Sequence, residues 1–151
     1  MTEGKYQIKI PDIDYFRKMI KCQDACPAKT PAGGYVNAIA DGDYLLSYAL
    51  ARGPNPFAPI CGLICTHPCE NACRRGSIDE PVAIRALKRF AVDAFMEATN
   101  SDIFKSAGLS SAIGGSKGIP TGKKVAVIGS GPAGMAGAHD LARLGYKATI
   151  F

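Results

Sequence analysis

The chain has 151 residues, of which 47% are hydrophobic and 21% are charged, and this balance excludes a disordered or collagen-like chain. Its apolar runs are shorter than the roughly 18 residues needed to span a bilayer. Charged residues interrupt residues 1–16, so this segment lacks the continuous apolar stretch of a signal peptide. The formal net charge is +5, without a dense basic run that carries aromatic residues. We therefore expect a soluble, cytoplasmic protein that binds neither a membrane nor a nucleic acid.

Three regions differ in composition. Residues 1–105 contain every cysteine and show helical patterning, so we expect them to form a helical domain. Residues 106–122 are dominated by Gly and Ser and are predicted to be a linker. Residues 123–151 contain a short β-branched run, a glycine-rich turn and a helical segment.

Short helices are predicted in the first region at residues 14–21, 35–40 and 44–52. The Asp-Gly-Asp sequence at 41–43 separates the last two, and Gly53 followed by Pro54 ends the third. No segment of this region alternates in the manner of a strand, so the pattern predicts an all-helical domain.

The clearest helix is predicted to begin at Pro81. Asp79 and Glu80 precede it, and acidic residues are favourable at the positive end of a helix dipole. One apolar stripe is predicted along this helix, formed by Ile84, Leu87, Ala91, Ala94 and Phe95. The charged residues are expected mostly off that stripe: Arg85, Lys88, Arg89 and Asp93.

Six cysteines cluster in the first region, and without a signal peptide such clustering favours metal or cluster ligation over disulfides. Within each group they are four residues apart, which is about 6 Å along one helix face. The last four cannot lie on one unbroken helix and serve one cubane, since they would span about 18 Å. Gly62 and Pro68 offer places for the chain to turn. The candidate ligands are Cys22, Cys26, Cys61, Cys65, Cys69 and Cys73.

Three interpretations of these cysteines compete. Zinc usually takes Cys-x2-Cys knuckles, which the chain lacks, and purely structural cysteines would be less regularly spaced. Iron–sulfur ligation needs soft thiolates and is therefore favoured. His67 is either an iron ligand or, more commonly for such a position, a turn cap or a donor to sulfur. Nearby cations raise the potential of an anionic cluster or form a solvated helix face, the role expected for most of them: Arg74, Arg75, Arg85, Lys88 and Arg89.

Four segments in order resemble the N-terminal iron–sulfur domain of the NADPH-dependent glutamate synthase small (beta) subunit. They are CQDACP at 22–27, NPF at 55–57, CTHPCENAC at 65–73 and PVAIRAL at 81–87. The same module opens dihydropyrimidine dehydrogenase and related flavin oxidoreductases. The resemblance extends from about residue 20 to the last residue given. It implies a helical domain in which two [4Fe–4S] clusters relay electrons to or from FAD.

The chain departs from that family in three ways. Members with two clusters usually carry a further Cys-x2-Cys just before the position of Cys22, whereas residues 1–21 contain no cysteine. Cys61 stands where many relatives have none. Lys88 occupies the position at which dihydropyrimidine dehydrogenase has an unusual glutamine ligand.

The resemblance also divides the cysteines between two sites. It implies that Cys26, Cys65 and Cys69 share a cluster, with Cys61 as the candidate fourth ligand. Cys22 and Cys73 then belong to a second, incomplete site. Whether one or two [4Fe–4S] clusters bind is open, because six thiolates cannot fill eight ligand positions.

A glycine-rich turn follows a predicted strand at 123–128 and opens a predicted helix at 135–144, before a second strand at 146–151. His139 is expected to be exposed in this helix. A Gly-x-Gly-x-x-Gly sequence in a β-α-β frame predicts dinucleotide binding rather than a plain glycine turn. The predicted fold class is therefore mainly α, a helical iron–sulfur domain followed by the truncated start of a Rossmann FAD/NAD(P)-binding fold. The cofactor-binding residues are predicted to be Gly129, Ser130, Gly131, Pro132, Ala133 and Gly134.

The predicted function is that of an electron-transfer module. A ribose-binding carboxylate is expected near the position after Phe151, so we interpret the chain as the front end of a longer oxidoreductase that does not turn over by itself. In the intact protein the resemblance implies that NADPH or NADH reduces FAD and that clusters pass electrons to a partner, the large subunit in glutamate synthase. No catalytic acid, base or nucleophile is assigned. The alternatives are a non-catalytic helical docking domain, with or without zinc, and a free-standing enzyme with another electron acceptor.

Overall fold

The computed structural model of the chain describes residues 10–99 and 118–151. No helix in these two ranges is long and apolar enough to cross a membrane. The first range contains seven α-helices and one 3-10 turn at Arg74–Ser77, and the second contains one α-helix between two strands. The helices of the first range are α1 Ile13–Met19, α2 Lys21–Ala25, α3 Ala32–Ala40, α4 Tyr44–Arg52, α5 Ala58–Ile64, α6 Pro68–Asn71 and α7 Ile84–Thr99. The second range consists of β1 Lys124–Val127, α8 Pro132–Arg143 and β2 Lys147–Ile150.

Local signals set the ends of α4, and the predicted helix at 44–52 is confirmed. The Asp43 carboxylate accepts a hydrogen bond from the backbone N–H of Leu46 at 2.9 Å, as an N-cap should. α3 begins three residues earlier than predicted, directly after Pro31. The single helix predicted at 14–21 is wrong, because the chain breaks at Ile20 into α1 and α2.

The predicted start of the long helix is also wrong, since α7 begins at Ile84 rather than at Pro81. The carboxylate that caps it comes from α6, where Glu70 Oε1 accepts a hydrogen bond from Arg85 N at 2.8 Å. Asp79, expected at this helix end, instead pairs with the Arg75 side chain. A tertiary contact therefore fixes the first turn of α7.

The core lies between α7, α3 and α4. Tyr48 stacks on Phe95 with ring centroids 4.0 Å apart and ring planes 6° from parallel. Tyr35 is fully buried, and its hydroxyl donates to the Ile84 carbonyl at 3.1 Å. The predicted stripe is confirmed where Ile84 and Phe95 are buried together with Ala91. It is wrong for Lys88, which was expected off the stripe and is buried on it.

α5 and α7 approach each other closely at Gly62. A Cβ added to Gly62 would lie 3.1 Å from the Arg89 Cα and 3.2 Å from its backbone N. The prediction that the chain turns at Gly62 is therefore wrong. Gly62 lies within α5 and lets this helix pack closely against α7. The predicted break at Pro68 is confirmed, because α5 ends before Cys65 and α6 begins at Pro68.

The second described range is a β-α-β unit. Its strands are parallel, and Lys124 pairs with Lys147 at one end while Val127 pairs with Ile150 at the other. The helix begins at Pro132, earlier than the predicted 135. Residues 106–117 of the predicted linker lie outside the described residues.

The β-α-β unit contacts α4. His139 is half-buried rather than exposed as predicted, because its Nε2 lies 3.5 Å from Arg52 Nη1. Arg143 donates from Nη1 to the Gly53 carbonyl at 3.2 Å. Two polar contacts at the carboxyl end of α4 thus join the two described ranges.

Substitution of Gly62 tests the helix contact. We expect Gly62→Ala to destabilise the fold by about 1 to 2 kcal/mol, because overpacking against the α7 backbone outweighs the better helix propensity of alanine. Gly33→Ala is the matched control, since an added Cβ there meets no atom within 4 Å and should stabilise by about 0.5 kcal/mol. Denaturant unfolding followed by far-UV circular dichroism measures both. Equal effects of the two substitutions would contradict the packing argument.

Candidate metal centre and nucleotide turn

Four of the six cysteines line one cavity. Cys26 follows the end of α2, Cys61 lies within α5, Cys65 ends that helix, and Cys69 lies in α6. All four are half-buried and none is in a disulfide. The remaining lining residues are Pro27, Tyr35, His67, Pro68, Ile84, Arg85 and Lys88.

The donor set of this cavity fits an iron–sulfur cluster. Four thiols are the complement that a [4Fe–4S] cluster takes from a protein. Within residues 10–99 and 118–151, no three His, Cys, Asp or Glu side chains lie close enough together to hold a single metal ion. The cavity between these side chains has a volume of about 30 Å³.

Cys26 is prepared for the thiolate form. Its Sγ lies 3.7 Å from Thr30 Oγ1, and Thr30 is buried. Burial raises the pKa of the Cys26 thiol, but hydrogen bonds from Thr30 and Ala28 and the charge of Lys88 together hold that pKa below its ordinary value. Because the thiolate is the metal-binding form, this environment favours ligation.

Cys69 has the opposite environment. Burial raises the pKa of the Cys69 thiol, the charges of Cys26 and Glu70 add to that rise, and Lys88 opposes it. Burial also raises the pKa of Tyr35, with further contributions from Cys69 and Cys26. These mutual effects show that the two cysteines, Tyr35 and Lys88 share one electrostatic environment.

The loop between Cys65 and Cys69 turns through a left-handed residue, His67, at φ 47°. This conformation directs the His67 backbone N–H to Cys65 Sγ at 3.3 Å. The ring of His67 lies against Glu70, with 3.0 Å between Nδ1 and Oε2. His67 thus combines a turn with a backbone donor to sulfur, the role that the sequence favours.

Glu70 and Arg85 tie the three helices around the cavity together. Glu70 caps the first turn of α7, and Arg85 donates from Nη1 to the Cys65 carbonyl at 2.9 Å. The carbonyl at the end of α5 and the N–H at the start of α7 are therefore both satisfied across the cavity rim. The sequence did not predict these two contacts, because Arg85 is 15 residues from Glu70 and 20 residues from Cys65.

The other two cysteines do not line the cavity. Cys22 lies on α2 and packs against the core around Tyr35, and Cys73 precedes the 3-10 turn. The structure therefore groups the four cysteines that the resemblance placed with one cluster and leaves the remaining two apart. Ligation itself stays a prediction for all six.

The glycine-rich turn has the geometry of a phosphate-binding turn. Gly129 adopts φ 103°, a conformation that favours glycine, and a Cβ on Gly134 would lie 2.0 Å from the Gly129 carbonyl oxygen. Gly131 has open space where a Cβ would be. Tight turn, open approach and close helix packing are the three roles that dinucleotide-binding glycines serve. Binding by residues 129–134 remains a prediction.

Fold and site together define a class, namely a helical domain with a cysteine-lined cavity followed by a β-α-β unit with a glycine-rich turn. Residues 17–100 match the family model described as dihydropyrimidine dehydrogenase domain II, 4Fe-4S cluster. This match covers more than half of the chain. The chain belongs to that family, and the resemblance found from the cysteine motifs is confirmed.

Several curated proteins are similar to most of the chain. The beta subunit of NADP(+)-dependent formate dehydrogenase from Moorella thermoacetica is 41% identical over 140 residues, which cover 86% of this chain and 20% of that subunit. The beta subunit of the NADPH-Fe(3+) oxidoreductase from Geobacter sulfurreducens is 37% identical, and the match covers 86% of this chain and 18% of that subunit. The PreT subunit of the NAD-dependent dihydropyrimidine dehydrogenase from Salmonella typhimurium is 34% identical, and the match covers 86% of this chain and 29% of that subunit. The chain thus spans less than a third of the length of these relatives.

Removal of the Glu70 carboxylate tests the tie between α6 and α7. We expect Glu70→Ala to lower the free energy of unfolding by about 1 kcal/mol, because an N-terminal cap of α7 is lost. Glu97→Ala, at an exposed position near the other end of α7, is the control and should change little. Urea unfolding of both variants measures the difference. A cost that is the same for both would mean that Glu70 does not act as a cap.

Proposed function

We propose that the chain is the iron–sulfur electron-transfer part of an NAD(P)H-dependent flavin oxidoreductase. The observation that carries this proposal is the convergence of four thiols on one cavity. Membership of a 4Fe-4S family and similarity to NADP(+)-, NADPH- and NAD-dependent subunits support it. The proposed domains are the helical domain at 1–105, the linker at 106–122 and the dinucleotide-binding fragment at 123–151.

In this proposal Cys26, Cys61, Cys65 and Cys69 hold one [4Fe–4S] cluster. The cluster, when bound, supplies one-electron redox chemistry at a potential that its surroundings set. Cys26 contributes a thiol that its hydrogen bonds have already biased toward the thiolate. The backbone N–H of His67 holds Cys65 Sγ in place and stabilises negative charge on it.

The turn at 129–134 is the proposed site for the pyrophosphate of a dinucleotide, FAD by the family resemblance. Gly131 leaves the backbone accessible, and the first N–H groups of α8 and the positive end of its dipole favour a phosphate. A full Rossmann fold around this β-α-β unit is part of the proposal. Reducing equivalents from NADPH or NADH would enter through that flavin.

The proposed partner is a larger subunit that accepts or supplies electrons. The relatives are named as subunits of three different oxidoreductases, so the names favour a shared electron-transfer part rather than one substrate. The glutamate synthase large subunit remains one candidate among such partners. We propose the cytoplasm as the compartment, because thiols remain reduced there.

This function is tested by measuring iron and acid-labile sulfide per chain after the chain has been loaded with iron and sulfide in the absence of oxygen. We expect about four irons and four sulfides per chain, since the described cavity presents one complete set of thiols. Cys61→Ser should lower both, because serine is a poor substitute for a thiolate on this cluster. Cys73→Ser is the control and should leave both unchanged, because Cys73 does not line the cavity.

The other outcomes are equally informative. Zinc without sulfide would overturn the electron-transfer proposal and leave a docking domain. Full cluster content in Cys61→Ser would remove Cys61 from the ligand set. About eight irons per chain would contradict the single-cluster assignment and would mean that a second site recruits non-thiolate or partner ligands.

A further inference from the structure

Lys88 is buried in the wall of the cysteine cavity. Only 8% of the residue is exposed, and within residues 10–99 and 118–151 it is the one charged residue that is buried. It lines the same cavity as the four cysteines. No carboxylate in the described part of the chain forms an ion pair with it.

A buried ammonium without a partner is unfavourable, so something in its surroundings must compensate the charge. The ring of Tyr35 provides part of this, with Lys88 Nζ 5.9 Å from the ring centroid. The lining residues of the cavity include no Asp or Glu. Among the residues that line the cavity with Lys88, the four cysteines are therefore the groups at which a bound cluster would place negative charge beside the ammonium.

The other charged groups near the cavity differ from Lys88 in burial or in their partners. Arg85 also lines the cavity and keeps its charge, but it is only half-buried, and its Nη1 donates to the Cys65 carbonyl at 2.9 Å. Arg89, the next residue after Lys88 on α7, pairs with Asp93 at 2.5 Å. Glu70 is committed to the first turn of α7 and to His67. Lys88 thus differs from these residues because it is buried and its described contacts are with the Tyr35 ring and the cysteine cavity.

We propose that Lys88 is a fixed counter-charge that raises the reduction potential of the cluster held by Cys26, Cys61, Cys65 and Cys69. This inference rests on the proposed function. One-electron reduction increases the negative charge of the site, so a nearby ammonium stabilises the reduced state more than the oxidised state. Its burial strengthens the effect, because the effective dielectric constant is lower there than in water.

The test compares neutral and charged replacements in the full chain loaded anaerobically with iron and sulfide. Lys88→Met and Lys88→Gln remove the charge in an unbranched side chain, whereas Lys88→Arg retains it. Arg89→Gln is the matched control, one residue away on α7 and paired with Asp93. Iron and sulfide per chain are measured first, and the midpoint potential is then measured by a mediated redox titration followed by EPR.

We expect both neutral variants to keep the iron and sulfide content of the original chain and to have a more negative midpoint potential. Lys88→Arg and Arg89→Gln should keep the original potential. An unchanged potential in a fully loaded neutral variant would overturn the inference and leave the proposed function intact. Loss of iron from every Lys88 variant would also overturn it, by assigning Lys88 to ligation or folding. Absence of iron and sulfide from the original chain would refute the proposed function instead.

Discussion

Thiols from separate segments can meet at one cavity only if α5 packs closely against α7. The contact is tightest at Gly62, where the absence of a side chain lets the backbone of Arg89 approach. The same face of α7 supplies Arg85 to the end of α5 and Lys88 to the cavity. One helix thus completes the hydrophobic core and forms a wall of the candidate centre, so the stability of the fold and the geometry of the site cannot vary independently.

Elements with local signals were predictable from the sequence. Asp43 and Gly53 bracket α4, and the observed helix has the predicted ends. The glycine-rich turn was predictable for the same reason, since Gly129 and Gly134 meet conformational and packing demands within a few residues of each other. The cysteine spacing by itself likewise favoured cluster ligation, and the family match agrees with that interpretation.

Features that depend on tertiary contacts were not predictable. The start of α7 was misplaced because its cap is Glu70, on another helix, rather than an adjacent acidic residue. Lys88 was expected off the apolar stripe because of its charge, although it lies four residues after Ile84 and four before Val92, both of which are buried. The helical spacing of Lys88 therefore indicated that it is buried, whereas its charge led to the opposite prediction. The separation of Cys22 and Cys73 from the cavity likewise depends on how the helices pack.

The position of α7 in the chain has a consequence for biosynthesis. A nascent chain grows from its amino end, so every cysteine is synthesised before Lys88. Until α7 emerges, the thiols lack a wall, and Tyr35 lacks the carbonyl to which its hydroxyl donates. Bringing Cys26 to the later cysteines closes a long loop, an entropic cost that the apolar face of α7 helps to offset. The cysteine cavity therefore closes only after α7 has left the ribosome, later than the synthesis of the cysteines themselves.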